Sequence, residues 1–467
     1  MAEITIDPVA RVEGHLKMKV DIDDAGTVTA ANVTGNLYRD FENILKNRHP
    51  WDAVRLTQRI CGVCPVSHAL SSAKAIEASQ GFVPTAQALL LRALIQGSNF
   101  LQDHILHFYH LSVMDYIAGP AMSPWAADTP DLRFSAEQTA TLTQHYLTAL
   151  QIRREGQEMG AILAGKLPHV ASIHPGGVTK SPTRAELTLF GTYLSKITAF
   201  VEQTYRPDVE LLASVYADYF DIGRGPGNFV SLGAFNQPNG TYLFAPGTLM
   251  GGVAGPAPDL SKVREFVGNS YYSNESGLAP SLGETVPDID KAGAYTWMKA
   301  PRYDGAAIEV GPLARMTIAG LYSGGVSAMD RIKARALETS KIAAAMKQWV
   351  AQVVPGRTAL TQLEPKLTGS GIGFTEAPRG SLAHWVQYTN KLTTRYQIIT
   401  PTCWNASPKD DAGLPGALEQ ALTGVQVADA SRPVELLRIV HSFDPCLGCA
   451  VHVSTTSGAL GERFVIR

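Results

Sequence analysis

Two Cys-x-x-Cys pairs stand near opposite ends of the chain, Cys61-Gly62-Val63-Cys64 and Cys446-Leu447-Gly448-Cys449, and they hold four of its five cysteines. A histidine follows each pair, His68 and His452. Two thiolates at this spacing form half of a metal site, and two halves make a cage only where the fold brings them together. Almost the whole chain lies between the pairs. A fold that uses both must therefore carry its two ends into one interior.

A chain of 467 residues is long enough to bury a large core. Its net charge of -2, with 18% charged and 45% hydrophobic residues, gives no support for nucleic-acid binding or a polybasic membrane patch. No apolar run approaches the roughly 18–20 residues of a membrane span. Met1 to Asp7 lacks a basic region followed by an apolar one, so no signal peptide is expected. Export bound to a partner that carries the signal stays open. So does a cytoplasmic home. Five clustered cysteines do not suggest a disulfide framework.

Residues 3 to 35 alternate apolar and polar, through Ile4, Ile6, Leu16, Met18 and Val20, with a turn at Asp24-Ala25-Gly26, which predicts strands. Helical periodicity predicts four long helices. They cover Ala88 to Ile117, Ala136 to Leu163, Thr183 to Phe220 with a kink at Pro207, and Ala328 to Val354, which Pro355 stops. Residues 223–315 are rich in Gly, Pro and Tyr and predict irregular structure with short strands. The expected fold class is α+β, mainly helical: a long-helix bundle core with N-terminal and mid-chain strands at its periphery. No linker or repeat divides the chain, so residues 1–467 are expected to form one intertwined domain, with a split near residue 225 as the alternative.

A Cys-x-x-Cys pair can be half of a zinc site, half of an iron–sulfur site or a redox couple. Zinc ribbons separate their pairs by roughly 15–20 residues, far less than here. Haem attachment needs a histidine directly after the second cysteine, and Ala450 and Val451 intervene before His452. An all-sulfur cage suits zinc, iron–sulfur or nickel with iron better than magnesium or manganese. The flanks narrow the choice. Gln58-Arg59-Ile60 precedes the first pair and Pro65-Val66-Ser67-His68 follows it. Ser442-Phe443-Asp444-Pro445 leads into the second. Arg11-Val12-Glu13-Gly14-His15, Phe41-Glu42, Asp103 to His110, Glu309 to Arg315 and Glu376-Ala377-Pro378-Arg379-Gly380 occur in order between and around them. Together these runs resemble the large, catalytic subunit of nickel–iron hydrogenases, nearly end to end. The Leu447 to His452 run resembles the uptake-type branch that includes nickel–iron–selenium enzymes. Those carry selenocysteine where this chain has Cys446, which suggests a sulfur-ligated centre.

The resemblance implies a centre of nickel and iron, with carbon monoxide and cyanide on the iron. Cys61 and Cys446 would be terminal nickel ligands, and Cys64 and Cys449 would bridge the two metals. Glu13 would hydrogen-bond the Cys446 thiolate and relay protons; taken alone it could equally pair with Arg11 or His15. Arg379 would overhang the metals beside Pro378, oriented by Asp103 and Asp444. Thr402 would contact a cyanide, and His68 a bridging sulfur. Glu42, His452 and the backbone carbonyl of Ile398 would hold magnesium or a similar hard cation, such as iron or calcium. Cys403 is expected to be a packing residue. His104, His107 and His110 are expected to hydrogen-bond beneath the site.

The expected reaction is reversible oxidation of H2 to protons and electrons. The chain keeps no cysteines for an electron relay. Gly369-Ser370-Gly371-Ile372-Gly373 lacks the strand–helix setting of a dinucleotide loop. An iron–sulfur small subunit is therefore the expected obligate partner. The resemblance further implies nickel-insertion chaperones and a protease that removes residues 453–467 after His452. It also implies a periplasmic or membrane-associated home, reached by export with the small subunit. The alternatives are a regulatory H2 sensor, a relative of respiratory-complex subunits and a zinc-stabilised scaffold.

Overall fold

A computed structural model describes residues 2–119 and 129–450. The N-terminal strands are Ala2–Ile6, Leu16–Ile22 and Val28–Gly35, an antiparallel sheet in chain order. Leu16, Met18, Val20 and Ile22 all point to the buried face, as their alternation predicts. Two short helices, α1 (Phe41–Ile44) and α2 (Ala53–Leu56), lead to α3 (Pro65–Gln80). Then come α4 (Ala86–Leu106), α5 (Ala136–Ala164), α6 (Arg184–Phe200) and α7 (Arg206–Val215). Beyond the short strands of the middle of the chain lie α8 (Pro312–Ile318) and α9 (Ala328–Gln352).

Local chemistry starts these helices where the sequence predicts. Ser135 with Gln138, Thr183 with Glu186 and Ser327 with Asp330 form reciprocal capping boxes on α5, α6 and α9. Helix α4 is buried along nearly its whole length, between α5 and α9. Its Gly97 lets the Met346 side chain approach: a Cβ there would lie 2.5 Å from the Met346 sulfur. Two predicted helices are not uniform. The Ala88 to Ile117 stretch passes from α-helix into a π-helical turn at His107–Ser112. The kink expected at Pro207 is a π-turn at Val201–Tyr205, immediately before α7. Proline has no N–H to donate, and its ring crowds the carbonyl one turn back, so the widened turn absorbs the misfit.

The expected bundle with strands at its edge needs correction. Helix takes 42% of the structure and strand 20%, so the fold is mixed. One sheet lies in the interior. Its strands Gly369–Ala377, Gly380–Thr389 and Leu392–Ile399 run antiparallel, and the middle strand is buried on both faces. Strand Gly369–Ala377 packs along α3. A Cβ at Gly371 would sit 2.1 Å from the Ala75 carbonyl oxygen, and one at Gly373 2.0 Å from that of Ser71. The Gly-x-Gly-x-Gly run thus brings a strand against a helix backbone. Helices α10 (Pro401–Asn405), α11 (Ala417–Leu422), α12 (Val434–Phe443) and α13 (Leu447–Ala450) complete the described chain.

A buried ion network joins sheet and helices. Arg315 of α8 donates to both carboxylate oxygens of Glu338, at 2.5 and 2.8 Å, and to Glu376 at 2.6 Å. All three side chains are inaccessible. His104 adds a fourth member, its Nε2 2.9 Å from Glu338. Arg315→Met would strand two carboxylates without a counter-charge. The expected loss is about 3–5 kcal/mol, read as an earlier thermal transition of the holoenzyme. An unchanged transition would show that the network does not support the fold.

Candidate metal centre

Each cysteine pair sits at a place where a regular element begins or ends. Cys61 closes the 3-10 turn Thr57–Ile60 in extended conformation, and Cys64 is the residue before α3, with Pro65 at the first helical position. Asp444 ends α12 in the left-handed conformation, turning the chain so that Cys446 leaves as a short extended stretch. Cys446 pairs with Glu13 in a parallel bridge, fixed by Leu447 N–H donating to the Glu13 carbonyl at 2.7 Å. The N-terminal segment thereby locks the C-terminal pair in place.

The two pairs converge. The sulfurs of Cys61 and Cys446 lie 3.3 Å apart, those of Cys64 and Cys449 3.1 Å, and those of Cys446 and Cys449 2.9 Å. All four lie within 4.8 Å of one another, and all four residues are buried. None is in a disulfide. Burial pushes the Cys446 and Cys449 thiols up, so four thiolates cannot stay ionised here unaided. Soft, dry and mutually repelling, they form a donor set that fits thiophilic metal cations. Arg39 joins the two halves: it donates to the Arg59 carbonyl at 3.0 Å and to that of Gly448 at 2.6 Å. Asn99 on α4 holds the first loop through the Val63 carbonyl, at 3.0 Å.

Glu13 is not paired with Arg11 or His15. Its Oε2 lies 3.1 Å from the Cys446 sulfur and accepts from Gly448 N–H at 2.7 Å. Burial pushes its carboxyl up, helped by negative charge on Cys61 and opposed by those two hydrogen bonds. Gly14 makes this contact feasible, because its φ is +80° and a Cβ would come 2.6 Å from Gly448 N. Arg11 instead binds Asp115 and the Leu111 carbonyl, and the other Asp115 oxygen meets His441 at 2.5 Å.

Arg379 is fully engaged. Its Nη1 donates to Asp103 at 2.9 Å, Nη2 to the Asp444 carboxylate at 2.8 Å and Nε to the Asp444 carbonyl at 2.9 Å. Burial pushes Asp103 up to about 7. Against the same upward push of burial, Arg379 holds Asp444 below the ordinary range. The Pro378 carbonyl accepts from Arg315 at 3.0 Å, which links this arm to the buried network. Thr402 accepts from the Cys446 N–H at 2.9 Å and so orients that cysteine. His68 is buried, and its Nδ1 meets His384 Nε2 at 3.2 Å; among the described residues its hydrogen bonds do not include a bridging sulfur. His107 reaches the His441 carbonyl at 2.7 Å. Cys403 is a buried packing residue beside Thr400.

Glu42 and Ile398 come together elsewhere. They line a cavity of about 20 Å³, shared with Glu265, Thr285, Lys299 and Cys403. Glu42 accepts from Ile398 N–H at 2.9 Å and lies 3.6 Å from Lys299 Nζ. Burial pushes Glu265 up to about 7. Two oxygen-bearing residues of the expected hard-cation site therefore meet, and oxygen donors fit such an ion. His452 and residues 453–467 lie outside the described residues. Arg39, Glu265 and Lys299 were not singled out from the sequence, since nothing local distinguishes them from surface charges.

The family described as nickel-dependent hydrogenase matches residues 39–124, 118–325 and 322–452, and a HoxL-like family matches residues 3–34. The periplasmic NiFeSe hydrogenase large subunit of Desulfomicrobium baculatum is 40% identical over 99% of this chain and 97% of its own. The uptake hydrogenase large subunit of Rhodobacter capsulatus is 31% identical over 98% and 96%. The structure of the Ni-Fe-Se hydrogenase from D. vulgaris Hildenborough in the reduced state superposes with a TM-score of 0.93 at 40% identity, covering 97% of this chain and all of that one.

Proposed function

The chain belongs to the nickel-dependent hydrogenase family as a catalytic large subunit, and on that premise we propose how its own residues divide the work. Cys61, Cys64, Cys446 and Cys449 hold the metals. Nickel and iron bound there, with carbon monoxide and cyanide on the iron, would supply the heterolytic splitting of H2. Cys61 and Cys446 would hold nickel alone, and Cys64 and Cys449 would be shared by nickel and iron.

The remaining chemistry is proton movement and electrostatics. Cys446 Sγ takes the released proton and passes it across 3.1 Å to Glu13 Oε2. A carboxyl raised by burial is suited to exchange protons near neutral pH. Arg379 offers a fixed positive charge over the site, and Asp103 and Asp444 hold its plane. Thr402 and Pro378 would line the site beside the diatomic ligands, and His68 would tune a sulfur shared by the metals. The observation that carries this reading is the Glu13–Cys446 contact beside four convergent sulfurs. Infrared spectra of the purified enzyme should show bound carbon monoxide and cyanide bands; their absence from active enzyme would overturn the ligand assignment.

Hydrogenase large subunits work with a small subunit, and here we assign it the iron–sulfur relay. Glu42, the Ile398 carbonyl and His452 would hold magnesium or a similar cation. We read the whole chain as one intertwined domain, in keeping with a core cluster that draws on residues from Ile4 to Leu447. Residues 453–467 are removed by a maturation protease once nickel has been inserted with chaperone help. The intact mass of active enzyme should lack that segment, and full-length mass in active protein would contradict the processing step. Among the described residues no helix is long and apolar enough to cross a membrane. We place the enzyme in the periplasm or at the membrane, exported with its partner.

A further inference from the structure

Farther along α3 than the metal ligands, a cavity of about 350 Å³ opens where the end of that helix meets the start of α4 and strand Gly369–Ala377. A volume of this size lies at the lower end of the range for small-molecule sites. Phe82, Leu89, Ile372 and Phe374 form apolar wall, and Lys74 and Arg92 are among the residues that line the cavity.

Of the two cations, Lys74 has hydrogen-bonding capacity to spare. Lys74 Nζ donates to the Phe374 carbonyl at 3.1 Å, and among the described residues this is its one hydrogen bond. An ammonium carries three donors. Arg92 is buried, and its two terminal nitrogens donate to Glu77 at 2.9 and 2.5 Å. Its Nε is sealed from solvent, so Arg92 contributes charge to the cavity and not a hydrogen bond. Glu77 offsets one of the two positive charges, so the cavity keeps a net charge of one cation. Burial, with the Arg92 charge beside it, pushes Lys74 down to about 8, and Glu77 pulls it back only in part. An entering anion would relieve that strain on the ammonium.

We propose that this cavity binds a small organic monocarboxylate, its carboxylate taken by Lys74 Nζ with the Arg92 charge beside it, and its apolar body laid against Phe82, Leu89, Ile372 and Phe374. An inorganic anion would use the cations and leave the apolar wall idle. A neutral hydrophobe would do the reverse. None of these residues belongs to the hydrogen-converting machinery, so occupancy would be read independently of the metal site.

The test uses the heterodimeric holoenzyme and benzoate as the probe. Reductive methylation of Lys74, followed by peptide mass spectrometry, is expected to slow by about tenfold when benzoate stands at about ten times its Kd. Benzyl alcohol and inorganic phosphate at equal concentration should protect far less. In calorimetry, Lys74→Met should abolish benzoate binding, Lys74→Arg should retain it, and both should leave H2 oxidation unchanged. Labelling that is indifferent to benzoate at tens of millimolar would overturn the proposal. So would protection by phosphate equal to that by benzoate, or benzoate binding that survives Lys74→Met.

Discussion

Glu13→Gln enzyme is expected to keep its nickel and iron and to lose H2 oxidation by about 10²–10⁴-fold, the usual contribution of a positioned acid or base. The substitution conserves shape. The amide oxygen, standing where Oε2 stands, can still accept from Gly448 N–H and face the Cys446 sulfur, so the bridge between the N-terminal turn and the C-terminal pair should persist. Only proton exchange is removed. Burial raises the carboxyl of Glu13, which brings its protonated and ionised forms closer in energy near neutral pH. An amide has no such pair of forms. The checks are metal analysis of the purified variant and its rate of H2-dependent dye reduction. Turnover within a few-fold of the parent would remove Glu13 from proton transfer.

Arg379→Lys is expected to lower turnover by about 10²–10³-fold with the metals in place, the effect typical of losing one preorganised electrostatic group. Charge is preserved, so a loss would trace to geometry. The guanidinium spends three nitrogens on three acceptors in one plane: Asp103, the Asp444 carboxylate and the Asp444 carbonyl. An ammonium on a shorter, flexible stem cannot span that set. It would leave at least one buried carboxylate without its partner and would let the positive charge move. Metal content by emission spectrometry and steady-state rates test this together. Full activity would show that a point charge is sufficient and that the planar fork is not.

What could be read from the chain beforehand follows the physics of each signal. The cysteine pairs were legible because soft-metal half-sites have a short, local spacing, and Glu13, Arg379, Asp103 and Asp444 because they lie in runs that resemble one family. The N-terminal sheet and the starts of α5, α6 and α9 were legible from alternation and capping residues. The interior sheet at 369–399 was not foreseen. Its middle strand is buried on both faces and so lacks alternation, and Gly371 and Gly373 signal close approach only once α3 is seen beside them. Arg315, Arg39 and Lys299 were equally opaque as functional groups. Each acts through partners distant in sequence, Glu376, Gly448 and Glu42 among them, and sequence spacing carries no trace of such pairs. The π-turn at Val201–Tyr205 was visible only as Pro207, because a proline announces a disruption and leaves its form to packing, and the one at His107–Ser112 contains no proline to announce it.

The central claim is that four sulfurs from the two ends of the chain enclose one nickel and one iron. Diffraction from crystals of the heterodimer at the nickel and iron absorption edges tests it most directly. The account predicts two adjacent anomalous peaks, one per metal, within bonding distance of Cys61, Cys64, Cys446 and Cys449. A single zinc in that cage, or nickel and iron lodged elsewhere in active enzyme, would contradict it.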